Sequence, residues 1–233
     1  MTSAGWTTIE VAAADECADA VFIEDTAVIF GSRAVIARPG ATSRRAETPD
    51  VQAALVDLGY AVTAIEAPGT LDGGDVLKVG STMYIGLGGR TNTEGIAQAA
   101  AAFAPDGVEV ATVPTTKVLH LKSAITALPD GRIIGYPPVV DDPSLFESFV
   151  AMPEESGAHV VDLGDGQLLM AASAPQSIAK VRTLGFEPVV VDICEFEKLE
   201  GCVTCLSIRL RNVPTAPNSE TSPAGAARSG PAD

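Results

Sequence analysis

Apolar residues along this chain recur in short runs broken by tight polar turns, and the runs alternate with longer segments of helical character. Two apolar runs, Thr26–Phe30 and Ala34–Arg38, flank Gly31-Ser32 and predict a hairpin. A helix over Arg45–Leu58 follows, stopped by Gly59, and then a strand over Ala61–Ile65. The same order returns three more times. A second unit has strands Val76–Val79 and Met83–Gly86 around Gly80-Ser81, a helix from Thr93 to Phe103 and a strand over Val108–Val113. A third has Ala124–Leu128 and Ile133–Tyr136 around Pro129-Asp130-Gly131, a short helix near Pro143–Phe149 and weak strand material beyond it. A fourth has His159–Leu163 and Leu168–Ala171 around Gly164-Asp165-Gly166, a helix from Pro175 to Leu184 and a strand over Glu187–Val191. Glycine, serine and aspartate occupy the turns because hairpin geometry favours them.

A fifth unit is only partly represented. Thr204–Leu210 predicts one strand and Trp6–Val11 another, with no helix or second hairpin strand between them. Past Arg211 the chain turns rich in Pro, Ala, Ser and Gly. It is expected to be a disordered tail over 212–233, with residues 1–211 as the folded domain. The expected fold class is α/β, a ring of ββαβ units with the fifth incomplete at the N-terminus.

Aliphatic residues supply the core, and 233 residues are enough to build one. The net charge of −15 argues against nucleic acid or an anionic membrane surface as partner and favours a cationic small molecule. The N-terminus lacks a basic region followed by an apolar run, and four cysteines do not make a disulfide scaffold in a chain this long; a cytoplasmic setting is expected.

Chemistry-bearing residues cluster where strands begin. Cys205 follows the Gly201 turn at the mouth of an apolar strand, and His120 stands in the same setting in Leu119-His120-Leu121-Lys122-Ser123. A thiol is a weak nucleophile at neutral pH until a neighbouring imidazole stabilises its thiolate. Asp19, Glu24, Asp25, Asp72 and Asp75 are the candidate acids, and Arg44 and Arg90 the candidate cations. Each has an ordinary alternative. Asp72-Gly73-Gly74-Asp75 reads equally as a turn or as a place where backbone approaches a ligand. Cys202 and Cys205 have C-x-x-C spacing, compatible with redox chemistry or zinc, but no second pair accompanies them. A single buried cysteine or histidine is most often plain packing.

In combination these blocks resemble the dimethylarginine dimethylaminohydrolases, members of the guanidino-group-modifying superfamily. The resemblance runs from about Thr8 to Arg211. It rests on Asp19-Ala20-Val21-Phe22-Ile23-Glu24-Asp25, Arg38-Pro39-Gly40-Ala41-Thr42-Ser43-Arg44-Arg45, Leu71-Asp72-Gly73-Gly74-Asp75-Val76-Leu77, Gly89-Arg90-Thr91-Asn92, Leu119-His120-Leu121-Lys122-Ser123 and Thr204-Cys205-Leu206-Ser207. It implies a five-unit αβ-propeller that hydrolyses methylated arginines to citrulline without metal or organic cofactor. By the same resemblance Cys205 is the nucleophile, His120 the general acid and base, and Asp72 its support. Asp19, Glu24 and Asp25 would face the substrate, while Arg44 and Arg90 would bind its carboxylate. The family carries roughly fifty further residues ahead of the position of Trp6. A start upstream of Met1, a gap beside the Cys205 strand, and self-association through the exposed edge are therefore expected. Two alternatives stand beside hydrolysis of methylarginines: a deiminase acting on free arginine, and a binding module for arginine-like ligands without turnover.

Overall fold

A computed structural model describes residues 1–214. It is a mixed α/β fold with four three-stranded sheets, each built from consecutive strands. The first comprises β1 (Ala27–Phe30), β2 (Arg33–Ile36) and β3 (Ala61–Ala64). β1 and β2 are antiparallel, while β2 and β3 are parallel, joined through helix α1 (Thr48–Asp57). The second comprises β4 (Val76–Val79), β5 (Thr82–Leu87) and β6 (Glu109–Pro114), with α2 (Thr93–Phe103) as the crossover. β7 (Ile125–Ala127), β8 (Ile133–Gly135) and β9 (Phe149–Ala151) form the third. The fourth has β10 (Val161–Gly164), β11 (Gln167–Ala171), the crossover α3 (Pro175–Thr183) and β12 (Glu187–Val191). All four sheets share one antiparallel and one parallel pairing.

Local chemistry explains the boundaries. Gly31 and Gly80 close the first two hairpins at φ 55° and φ 58°, a backbone region that glycine enters without a Cβ penalty. The Asn92 side chain caps α2 by accepting the N–H of Gly95. Five apolar clusters tie the sheets to their neighbours and flanking segments. Val35, Leu71, Met83, Ile85 and Phe103 join the first sheet to the second, and Leu77, Ile125, Ile133 and Phe146 join the second to the third. Ile134, Met152, Leu168 and Val181 join the third to the fourth.

Several expectations need correction. The helix of the first unit begins at Thr48, and Thr42–Glu47 forms a 3-10 turn that swings the Arg44 side chain inward. In the third unit, Pro143–Leu145 is only a 3-10 turn, and Phe149–Ala151 is a strand parallel to β8. A short helix, α4 (Cys194–Glu197), was not anticipated. Neither Trp6–Val11 nor Thr204–Leu210 forms a strand among the described residues. A strand needs a ladder partner, and these two segments have none; side-chain burial holds them instead. Ile208, Leu210 and Val11 pack against the first sheet, and Trp6, Leu206 and Val203 against the fourth. Trp6 also donates its indole N–H to the Leu163 carbonyl at 2.9 Å. The expected disordered tail falls almost wholly on residues 215–233, outside the described residues.

Candidate active site

Each sheet is entered through a short 3-10 turn immediately ahead of its first strand: Ile23–Thr26, Gly73–Asp75, Leu121–Ser123 and Ser156–Ala158. The repeat therefore delivers Glu24 and Asp25, then Asp72 and Asp75, then His120 to equivalent positions on three successive units. The turns pack closely enough to exclude side chains. A Cβ on Gly73 would lie 2.1 Å from the Glu24 carbonyl oxygen, and one on Gly74 would lie 2.5 Å from Asp25 Oδ1 and 2.8 Å from His120 Cγ. The diglycine is needed for this approach.

His120 sits inside a ring of carboxylates. Its Nε2 is 3.0 Å from Asp72 Oδ2, and its Nδ1 is 3.7 Å from Asp25 Oδ1. Burial alone would lower the imidazole's proton affinity. The fields of Asp25, Asp72 and Asp75 and the hydrogen bond to Asp72 outweigh it and hold His120 up at about 9, an imidazolium at neutral pH. Asp72 is fixed from three sides: its Oδ1 accepts the Gly40 N–H at 2.9 Å, its own N–H goes to Thr91 Oγ1 at 3.1 Å, and Oδ2 faces the imidazole. Thr91 passes its hydroxyl proton to Asp75 Oδ2 at 2.6 Å, and Asp75 Oδ1 accepts the N–H of Leu121, the residue after His120, at 2.9 Å. Burial, followed by the opposing effect of His120, leaves Asp75 raised to about 6.

The arginines differ in their surroundings. Arg44 is buried, with Nη1 on Asp25 Oδ2 and Nε and Nη2 forked onto Glu47 at 3.0 and 2.7 Å. Its Nη2 also reaches the Asp19 and Phe22 carbonyl oxygens. Burial lowers its proton affinity, but Glu47 and Asp25 overcome that and push it above the usual guanidinium range. With its fork filled, Arg44 holds Asp25 in place rather than presenting a free guanidinium, which departs from the expectation that it binds a substrate carboxylate. Arg90 is less committed. Its Nη1 is 3.8 Å from Asp72 Oδ2 and has no hydrogen-bond partner among the described residues. Asp19 is half-buried and meets Arg44 through its backbone.

Glu24 faces away from this cluster. Its Oε1 pairs with Lys122 at 2.7 Å and Arg209 at 3.1 Å, while Oε2 is buried without a hydrogen-bond partner among the described residues. Its backbone N–H donates to the Cys205 carbonyl at 3.1 Å, which places the thiol segment beside the Glu24-Asp25 turn. Cys205 is half-buried. Its sulfur lies 3.2 Å from Cys202 Sγ, and among the described residues its hydrogen bond goes to that thiol rather than to His120. Sequence reading assigns no role to Glu47, which lies in no motif, or to Thr91, which stands within Gly89-Arg90-Thr91-Asn92; both are recognised by their partners. Asp25, Asp72 and His120 place potential ligand atoms within 4.8 Å of one another. Arg44 and the imidazolium already balance those carboxylates.

The imidazole of His120, braced by the buried Asp72, lies on a turn of repeated three-stranded α/β units, and the Cys205 segment is hydrogen-bonded to the neighbouring Glu24-Asp25 turn. No family model matches the chain. It is 61% identical over 209 residues to the N(G),N(G)-dimethylarginine dimethylaminohydrolase of Streptomyces coelicolor, covering 90% of this chain and 81% of that protein. It is 36% identical over 197 residues to the corresponding Pseudomonas aeruginosa protein, covering 82% and 76%. A crystal structure of a Pseudomonas aeruginosa variant complexed with citrulline superimposes with a TM-score of 0.77 at 34% identity, over 84% of this chain and 78% of that one. The chain belongs to the dimethylarginine dimethylaminohydrolase family.

Proposed function

We propose that the protein hydrolyses Nω-methylated L-arginines to L-citrulline and dimethylamine or methylamine. The observation that carries this reading is the buried His120–Asp72 pair, 3.0 Å apart, with His120 also facing Asp25 on the turn to which the Cys205 segment hydrogen-bonds. Support comes from relatives named for this activity and from the citrulline complex of one of them.

The guanidinium carbon is a poor electrophile, because its charge is delocalised. Asp25 clamps the guanidinium, Asp19 lies at the rim, and Arg90, whose Nη1 has no hydrogen-bond partner among the described residues, binds the α-carboxylate. Arg44 acts through Asp25 by holding it. Cys205, as thiolate, attacks the carbon. His120, protonated at neutral pH, gives its proton to the departing amine, and a thiouronium remains on Cys205. The neutral imidazole then takes a proton from water. The resulting hydroxide adds to the same carbon, the C–S bond breaks to return the thiolate, and the added hydroxyl gives its proton to solvent, where the released amine takes it up, leaving citrulline. Every step uses side chains of this chain, with the small-molecule substrate as the partner.

The finer fold assignment belongs to the same proposal. The coil segments around Trp6–Val11 and Leu206–Arg211 line a groove of about 1580 Å³ beside α1. That is the place a fifth ββαβ unit of a propeller would take between the fourth and first sheets. A cytoplasmic enzyme, self-associating along this face, fits the composition; no helix among the described residues is long and apolar enough to cross a membrane.

The test is a side-by-side assay of L-arginine and Nω,Nω-dimethyl-L-arginine for citrulline, ammonia and dimethylamine. Citrulline with dimethylamine supports the proposal. Ammonia from arginine as the main product would make the protein a deiminase, and calorimetric binding without citrulline would make it a binding module.

A further inference from the structure

Cys202 is the nucleophilic group that the proposed reaction leaves unused. It is 4% exposed, and its sulfur has two close partners: Cys205 Sγ at 3.2 Å and Thr204 Oγ1 at 3.1 Å. The two cysteines are joined by a turn in which the Cys205 N–H donates to the Cys202 carbonyl at 3.1 Å. A turn closed this way brings its first and fourth Cα atoms to within about 7 Å. Disulfides span about 4.4–6.8 Å between Cα atoms, so the backbone already has the right reach. The sulfurs must close by about 1 Å to bond. The two sulfurs share a hydrogen bond, for which either can be the donor. The hydrogen bond from Cys205, then Thr204 and the field of His159, working against burial, bring Cys202 down to about 5. The accepting Cys202 and burial push the Cys205 thiol up.

From this geometry we infer that Cys202 is a resolving thiol and that Cys202 and Cys205 form a reversible modification site for hydroperoxides. Transfer of the shared proton to Cys202 leaves Cys205, the more exposed sulfur, as thiolate. That thiolate attacks the peroxide O–O bond and takes one oxygen as a sulfenic acid, and the hydroxide or alkoxide released takes a proton from solvent and leaves as water or an alcohol. The Cys202 sulfur then attacks the Cys205 sulfur. The S–O bond breaks, the hydroxide leaves as water with the remaining thiol proton, and a disulfide closes within the turn. Peroxide is the two-electron oxidant, and an external thiol restores both cysteines. The disulfide removes the nucleophile assigned above while protecting it from irreversible oxidation. That consequence for turnover rests on the proposed function; the chemistry of the pair does not.

The remaining cysteines help to isolate the effect. Cys194 is exposed on α4 and Cys17 is buried against the Ser43 carbonyl, and neither lies beside another thiol. Trypsin yields one peptide, Leu199–Arg209, that contains both members of the pair and neither of the others. The full chain is treated with hydrogen peroxide, its free thiols are alkylated under denaturing conditions, and it is digested. The expected product is a peptide about 2 Da lighter than the dithiol form that resists alkylation, and that dithiothreitol returns to the alkylatable form. In Cys202→Ser, and in Cys202→Ala should serine disturb the buried site, the same peptide is expected to gain about 16 and then about 32 Da, the latter not recovered by dithiothreitol. A wild-type peptide that passes directly to the heavier forms overturns the inference. So does a light form that persists when Cys202 is replaced. Loss of 2 Da in a protein that makes no citrulline would leave the dithiol chemistry standing and count against the proposed function alone.

Discussion

Nε2 of His120 lies 3.0 Å from Oδ2 of Asp72, a carboxylate with no exposed surface. A buried charge is tolerable only when paired, and the hydrogen bond and field of Asp72 help hold the imidazole in its charged form. Replacing Asp72 with asparagine removes the negative charge and keeps the shape. The His120 titration, followed by its imidazole resonance with His159 as internal comparison, is expected to fall from about 9 by at least about one unit. Citrulline formation is expected to fall by about 100-fold or more. An unchanged titration would show that Asp72 does not set the charge of His120.

The same shift makes stability depend on pH. The folded-state value of about 9 for His120 lies above its ordinary 6.5. The stabilisation is therefore fully present below 6.5 and is lost as pH rises through about 9. Its size is on the order of 3 kcal/mol. Asp75, raised mainly by burial from 3.8 to about 6, adds a loss of the same sign at lower pH. Chemical denaturation at pH 6.5 and pH 9.5 should show the wild type losing stability across the interval, with His120→Gln losing much less. Parallel profiles for the two proteins would contradict the assignment.

Arg44 joins two buried carboxylates, Asp25 and Glu47. Arg44→Ala strands both charges and is expected to lower stability by roughly 3–5 kcal/mol in urea denaturation. Were Arg44 only a surface contact for substrate, stability would stay within about 0.5 kcal/mol of wild type.

Gly74 is occupied by neighbours on the side where a Cβ would stand, with Asp25 Oδ1 at 2.5 Å and His120 Cγ at 2.8 Å. Gly74→Ala should displace the imidazole and lower kcat by about 100-fold while circular dichroism keeps its wild-type form. Normal turnover would mean that the close packing of these turns is not needed for the chemistry.

What could be read from sequence follows from how local the governing physics is. The helix Thr93–Phe103 and strand Glu187–Val191 have the predicted bounds, because the cap at Asn92 and the turn at Gly185 lie within a few residues of them. Trp6–Val11 and Thr204–Leu210 carry strand-like patterns, but a strand depends on a partner elsewhere, and no local pattern specifies one. Arg44 illustrates the same limit within the site. Its motif marks it as a cation of interest, whereas its partners Asp25 and Glu47 are set by a 3-10 turn that the sequence reading took as the start of a helix. The nearness of Cys202 to Cys205 was visible as spacing, but their sulfur–sulfur contact depends on the turn between them.

The most direct measurement asks whether the substrate carbon becomes bonded to sulfur. The protein is mixed with Nω,Nω-dimethyl-L-arginine, quenched in acid during turnover, and peptide Leu199–Arg209 is sequenced by mass spectrometry. The account predicts a peptide bearing the substrate less dimethylamine on Cys205, absent from Cys205→Ser along with citrulline formation. Sustained citrulline production by Cys205→Ser, or an adduct carried by Cys202 instead, would contradict it.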